Sequence, residues 1–248
     1  MTPHPLVFCL SMLLVTGCAT RAPARTDTRP FAWKASLSLT IQAPRWDLAA
    51  NVPATLLVRR PDVLFLQLRG PIGGPLAEAC SDRAGVSVLL PAERRLLVDT
   101  DPQAAIGAAT GGALALDGLA ALLLGEAPGW DVGPDGSVAL AEGRVAMLGR
   151  DAQGRLVSLV VRDASGTDLL QATWEGWIRR EGAWRPGKLG LRVAPLDLDV
   201  EARFRSWEIL GSVPVTCAHA LPGGGPEGFA PERLGEHVTG PGTAPVEP

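Results

Sequence analysis

The chain has 248 residues, 46% of them hydrophobic, and a formal net charge of -3, with lysines and arginines scattered along its length. That balance leaves no basic footprint for nucleic acid, so no nucleic-acid partner is expected. Its three histidines, His4, His219 and His237, all lie near the ends, which leaves the middle of the chain without an imidazole for general-base or zinc chemistry.

The first element is an apolar run from Leu6 to Val15, followed by Thr16, Gly17 and Cys18. An apolar stretch before small residues is the pattern of a secretory signal. The segment Leu14-Val15-Thr16-Gly17-Cys18 resembles the lipobox of bacterial lipoproteins. That resemblance implies removal of residues 1–17 and a diacylglyceryl thioether and acylated amine on Cys18, two attachments of the kind stable anchoring needs. The region before the apolar run departs from the pattern in carrying no Lys or Arg. An ordinary cleaved signal with an incidental cysteine is the alternative. Ala19, where an Asp would mark inner-membrane retention in enterobacteria, favours the outer membrane with the domain facing the periplasm. Residues 18–30 then form the lipidated terminus and a Pro/Arg/Thr-rich tether.

From Trp33 the chain alternates, with Trp33, Ala35, Leu37, Leu39 and Ile41 on one side and Lys34, Ser36, Ser38 and Thr40 on the other, the period of a half-exposed strand. Further strands are predicted at 45–51, 54–60, 63–69, 76–80, 85–90 and 94–99, separated by turns bearing Pro or Gly. Asp101-Pro102 opens a helix that Thr110-Gly111-Gly112 stops. A second helix runs from Leu116 to about Leu124 and ends at Gly125. It is too short to span a membrane and contains Asp117 and Gly118. Strands resume at 138–140, 144–148, 156–162, 169–178, 188–193 and 199–207, continuing the antiparallel order around one helical insertion. One domain, 31–217, is large enough to build its own core. The Gly/Pro-rich stretch 218–248 reads as a disordered tail.

Cys80 and Cys217 remain once Cys9 and Cys18 are assigned to the N-terminus, and in an oxidising compartment they either pair or stay as thiols. No nucleophile elbow, Walker loop or dinucleotide fingerprint is present. Asp197 and Asp199 share a strand face but read as a solvated edge. Trp174, Trp177, Trp184 and Trp207 could offer sugar stacking, although Trp174 and Trp177 would fall on opposite faces of a regular strand. No enzyme activity, metal or cofactor is expected.

The helical segment Ile106-Gly107-x-x-Thr110-Gly111, then Leu116-x-x-Leu119-x-x-x-Leu123-Leu124-Gly125-x-x-Pro128-Gly129, resembles that of LolB-type outer-membrane lipoproteins in the LolA/LolB carrier fold. The hairpin Leu68-Arg69-Gly70-Pro71-Ile72-Gly73 and the last strand, 189–207, are similar to the family's as well, so the likeness covers about 32–209. It departs in the tail after Cys217 and in having Ile72 at the loop apex. The resemblance implies a mainly β fold, an incomplete antiparallel β-barrel (half-barrel) with a short two-helix lid. It also implies delivery of lipoprotein acyl chains, received from a periplasmic LolA-like carrier, to the outer membrane. A monomer is expected. A sheet with one apolar face must bury it, and an imperfect helical cover would leave a cavity. The candidate lining residues are Leu37, Leu39, Ile41, Leu64, Leu66, Leu68, Leu116, Leu119 and Leu123; the same leucines would also serve an ordinary core. Ile72 either projects as a membrane-insertion tip or folds back on the sheet. The alternative function is a structural or envelope-assembly lipoprotein of the same fold, with a filled core and a protein or glycan partner.

Overall fold

The computed structural model describes residues 32–61, 63–211, 217, 226 and 229–234. The expected signal peptide, Cys18 and the tether lie outside them. The strands are β1 (Ala32–Ala43), β2 (Leu48–Arg59), β3 (Val63–Arg69), β4 (Pro75–Ser81), β5 (Val86–Leu90) and β6 (Arg95–Asp99). Two helices follow, α1 (Pro102–Ala109) and α2 (Leu116–Leu123). The chain then forms β7 (Ser137–Ala139), β8 (Val145–Arg150), β9 (Leu156–Arg162), β10 (Asp168–Glu175), β11 (Ile178–Arg180) and β12 (Ala183–Arg185). Last come β13 (Lys188–Val193), β14 (Leu198–Leu210) and β15 (Ala230–Arg233).

Thirteen strands make one open sheet in the order β15-β6-β5-β4-β3-β2-β1-β14-β13-β10-β9-β8-β7, and β11 and β12 form a separate hairpin. All pairings in the large sheet are antiparallel except β15 with β6. The protein is therefore mainly β, with two helices and a sheet that does not close on itself. The long strands β1 and β14 pair at its centre, from Ala32↔Leu210 to Gln42↔Asp199. Along β1 the predicted alternation is seen directly: Trp33, Ala35, Leu37 and Leu39 are buried, and Lys34, Ser36, Ser38 and Thr40 are half-buried.

The hairpin connections sort to two ends of the sheet. The β1–β2, β3–β4, β5–β6 and β13–β14 turns lie at one end, here the rim. The β2–β3, β8–β9 and β11–β12 turns lie at the other, the base. Three rim turns share one design: Pro44–Trp46, Pro91–Glu93 and Ala194–Leu196 each make a 3-10 turn, closed by Asp47, Arg94 and Asp197 in the left-handed region.

Several boundaries differ from the sequence reading. Residues 45–51 and 54–60 are not two strands. Arg45 belongs to the 3-10 turn, and β2 runs unbroken through Pro53, which pairs opposite Ser38. The strand expected over 169–178 stops at Glu175, because Gly176 turns to positive φ. Ile178–Arg180 then pairs with Ala183–Arg185 across Glu181-Gly182, both at positive φ as a two-residue hairpin turn requires. Within the tail expected to be disordered, the described residues include a strand. Ala230–Arg233 pairs in parallel with β6, Leu234 N–H donates to Val98 O at 3.0 Å, and Arg95 pairs with Glu232 at 3.0 Å. An edge strand offers unpaired backbone groups that an added strand can meet without any apolar periodicity of its own. Cys80 and Cys217 form a disulfide, Cα–Cα 5.3 Å, which holds the start of that tail against β4.

The base of the concave side is solidly packed. Trp33 meets Trp207 edge-on with ring centroids 6.3 Å apart, Phe204 stacks on Trp207 at 4.7 Å, and the Arg185 guanidinium lies 4.1 Å from the Trp33 ring centroid. Trp207 Nε1 donates to Pro186 O at 3.0 Å, so its buried N–H is satisfied.

Candidate functional site: an apolar cavity beneath the helical hairpin

α1 and α2 form a hairpin against the concave face. Asp101 caps α1, its carboxylate accepting from Gln103 N and Ala104 N, both at 3.0 Å. Thr110 ties the connecting turn together: its hydroxyl donates to Ile106 O at 2.8 Å and accepts from Leu114 N at 3.1 Å. Gln103 Oε1 accepts from Leu116 N at 3.1 Å, so α1 supplies a cap to α2. A side chain at Gly111, which has φ +62, would come within 2.9 Å of Pro195, and this places the hairpin's turn against the rim.

The far end of α2 is fixed to the base. Gly125 N donates to Leu122 O and Glu126 N to Ala121 O, both at 2.9 Å, completing a Schellman cap with Gly125 at φ +71. Only glycine fits there, because an added Cβ would meet the Trp177 ring. Trp174 Nε1 donates to Leu122 O at 3.0 Å and Arg185 Nη1 to Leu124 O at 3.3 Å. Glu126 pairs with Arg185 at 3.1 Å and with Arg60 at 2.6 Å. Arg185 is 2% exposed, so its charge depends on that carboxylate and those carbonyls. Five residues of α2 are buried, against only Pro102 and Ala105 of α1.

Between the hairpin and the sheet lies a cavity of about 300 Å³. Its walls are Leu37, Leu39 and Ile41 from β1, Leu56 from β2, Leu64 and Leu66 from β3, and Ala79, Cys80 and Ser81 from β4. Val86 of β5, Leu189 and Leu191 of β13, and Val200 and Ala202 of β14 complete the sheet side, and Ile106, Leu119 and Leu123 close it from the helices. Among the described residues, no charged side chain lines it. At about 30 Å³ per small group, the space holds on the order of ten water- or methylene-sized units. Filling it with hydrocarbon would contribute on the order of 8 kcal/mol, at about 0.8 kcal/mol per methylene.

Seven of the nine expected lining residues are in the wall: Leu37, Leu39, Ile41, Leu64, Leu66, Leu119 and Leu123. Leu116 and Leu68 are not. Leu116 opens α2 beside Gln103 and is 2% exposed within the solid core. Leu68, opposite Ala54 and Ala77, is half-buried against that core without reaching the cavity. The sequence reading missed Leu56, Ala79, Cys80, Ser81, Val86, Ile106, Leu189, Leu191, Val200 and Ala202. Period two along β13 and β14 marks Leu189 with Leu191 and Val200 with Ala202 as same-face pairs, so that signal was present. Cys80 and Ser81 carried no such signal.

The acidic groups with shifted pKa values are at the surface, away from these walls. In the β9–β10 turn, hydrogen bonds from the Ser165 hydroxyl and the Thr167 and Ser165 backbone hold the Asp163 carboxyl below its ordinary value. Asp135 is lowered in the same way by the Ser137 hydroxyl and backbone. On β14, Glu201 is lowered by hydrogen bonds from Arg203 and then Lys188. Among the described residues, no three His, Cys, Asp or Glu side chains gather as a metal site would need.

The β3–β4 turn settles how Ile72 sits. Gly73 N donates to Gly70 O at 2.9 Å and Gly70 N to Gly74 O at 2.8 Å, with Gly73 at φ +89, a tight turn followed by a glycine bulge. Pro71 through Leu76 are all exposed, and Ile72 is 97% exposed. The side chain projects and does not fold back.

Fold and site together define an open-sheet β protein with a neutral, hydrocarbon-lined cavity under a helical hairpin. No family model matches the chain, and no curated protein does. Among solved structures it is similar to a putative outer membrane lipoprotein-sorting protein domain from Vibrio parahaemolyticus, with TM-score 0.49 and 11% identity over 73% of this chain and 86% of that one. A LolA superfamily protein from Nitrosomonas europaea gives TM-score 0.46 and 10% identity over 74% and 87%. A DUF1329 family protein from Desulfovibrio piger gives 0.49 and 10% over 78% and 90%.

Proposed function

We propose that this chain is a lipoprotein anchored in the outer membrane through Cys18, facing the periplasm, that takes up acyl chains of other lipoproteins and delivers them to that membrane. A soluble LolA-like carrier is the proposed donor, and the LolB-like motifs of the sequence point the same way. The cavity is the observation that carries the reading: among the described residues its walls are almost wholly aliphatic, with the Ser81 hydroxyl as their one polar side-chain group and no charge to select a polar substrate. Burial of methylenes then supplies affinity without specificity for a headgroup or protein part, as a general carrier needs.

The cavity holds about ten methylene-sized groups, less than a full-length acyl chain, so cargo has to part the helices from the sheet. α2 is pinned at the base by Trp174, Arg185 and Glu126, whereas α1 buries little and is bonded chiefly to α2. Parting therefore begins at α1 and its Ile106, with the base left intact. No covalent step is involved. Exchange between two apolar sites is nearly isoenergetic, and direction comes from slightly better burial in the acceptor and finally in the bilayer. Ile72, projecting at the rim, enters the acyl boundary and opens the route for release.

Native mass spectrometry of the chain lacking residues 1–18, mixed with a triacylated lipopeptide, tests the reading. A stoichiometric complex is expected, and Leu119→Glu, which places a charge in the cavity wall, should abolish it. Ile72→Glu should keep binding and slow delivery to liposomes. A folded chain that binds no lipopeptide would leave the structural lipoprotein with a protein or glycan partner as the better account.

A further inference from the structure

Among the described residues, eight large hydrophobic side chains are conspicuously exposed, and four of them, Trp46, Leu48, Ile72 and Leu76, stand at two hairpins of the rim. The β1–β2 and β3–β4 hairpins occupy four successive strands, so their midlines are two strand spacings apart, about 10 Å. Trp46 is 40% and Leu48 45% exposed, although the two strands of this hairpin offer buried positions. The left-handed Asp47 ends the 3-10 turn between Trp46 and Leu48 and fixes both at the tip. The Arg45 guanidinium lies 5.8 Å from the Trp46 ring centroid, pairing an indole with a cation as side chains at a bilayer–water boundary commonly do. The cavity wall reaches toward this end too, since Ile41, the last of its β1 residues, is three positions before Pro44, where the β1–β2 turn begins.

We propose that the β1–β2 tip, through Trp46 and Leu48, is a second membrane-contacting point that acts with the Ile72 loop to seat the rim, and so the cavity end, on the phospholipid surface. This rests on the delivery reading above and adds to it the surface that orients the domain. One projecting isoleucine fixes a depth and leaves the domain free to pivot. Two tips fix an edge. Anchor geometry allows it: fourteen residue steps separate Cys18 from Ala32, a reach of at most about 50 Å when extended, and β1 from base to rim is about 40 Å long. A lipid at Cys18 can therefore hold the base while the rim faces the same membrane.

Trp184 provides an internal control, being 40% exposed like Trp46 but on the β11–β12 hairpin at the base. The test is tryptophan fluorescence of the full chain reconstituted in phosphatidylcholine vesicles, with and without dibrominated acyl chains. Bromine should quench a component that Trp46→Phe removes and Trp184→Phe leaves in place. Leu48→Glu should slow lipopeptide transfer to vesicles about tenfold, the cost of keeping one apolar side chain out of the bilayer. Quenching unaffected by Trp46→Phe would overturn the second contact, even if Ile72→Glu still impaired delivery. Quenching of Trp46 in a chain that binds no lipopeptide would keep the docking rim and remove the cargo role.

Discussion

Single side chains in this molecule do two distinct jobs, satisfying buried polar groups and shaping an apolar space. Trp174 does the first, since its indole N–H is the side-chain partner of Leu122 O, deep in the base. Trp174→Phe removes that donor, leaves Leu122 O with the Gly125 N–H alone and puts a smaller ring in the packed base, so chemical denaturation should show a loss of about 1–3 kcal/mol. Asp163 works at the surface. Its folded pKa lies below the ordinary carboxyl value because the ionised form accepts hydrogen bonds from Ser165 and Thr167. Its contribution is therefore complete above the unfolded value of about 4 and fades as pH falls through the lower folded value. Asp163→Ala should reduce thermal stability at pH 7 and flatten its acid dependence below pH 4, measured as the unfolding midpoint against pH. The role of Trp174 was half legible in sequence: alternation gave the strand and the packing role, but a partner fifty-two residues away in α2 leaves no local mark.

Among the elements, the most consequential contrast is between the two helices. Both were legible, from Asp101-Pro102 at one start and Gly125 at the other end, because caps and stop signals are local chemistry. That α2 is pinned and α1 is not could not be read, since the pins are Trp174, Arg185 and Arg60 from distant strands and turns. Amide hydrogen exchange should show α1 opening well before α2, and Glu126→Gln, which weakens the bridge to Arg185 and Arg60, should narrow that gap. Element boundaries failed where one residue altered the backbone: Pro53 did not break β2, and Gly176 did break β10. β15 was missed because parallel pairing to an edge needs backbone groups and proximity, and the Cys80–Cys217 bond supplies the proximity. Deleting residues 218–248 should expose the β6 edge and promote self-association, read by light scattering at increasing protein concentration.

At the scale of the whole molecule, the open sheet has a packed aromatic base and a hydrocarbon cavity whose walls run from Ser81 and Val86 to Ile41 near the rim, the end where the projecting hairpins stand. Sequence periodicity identified the inward-facing leucines correctly, yet could not tell wall from core. Leu116 and Leu119 share a helix face and have different fates, a distinction set by how far the helices stand off the sheet. A neutral wall has a plain consequence: affinity for acyl chains should change little between pH 5 and 8 or with added salt, unlike recognition of a charged headgroup. The central claim is occupancy of this cavity by acyl chains, and the most direct measurement is photocrosslinking with a lipopeptide carrying a diazirine near the end of one acyl chain, mapped by peptide mass spectrometry. Labels are expected on the cavity walls, at β1, β3 and α2 around Leu39, Leu66 and Leu119. Labels confined to the outer face of the sheet, or absent from a folded chain, would contradict the account.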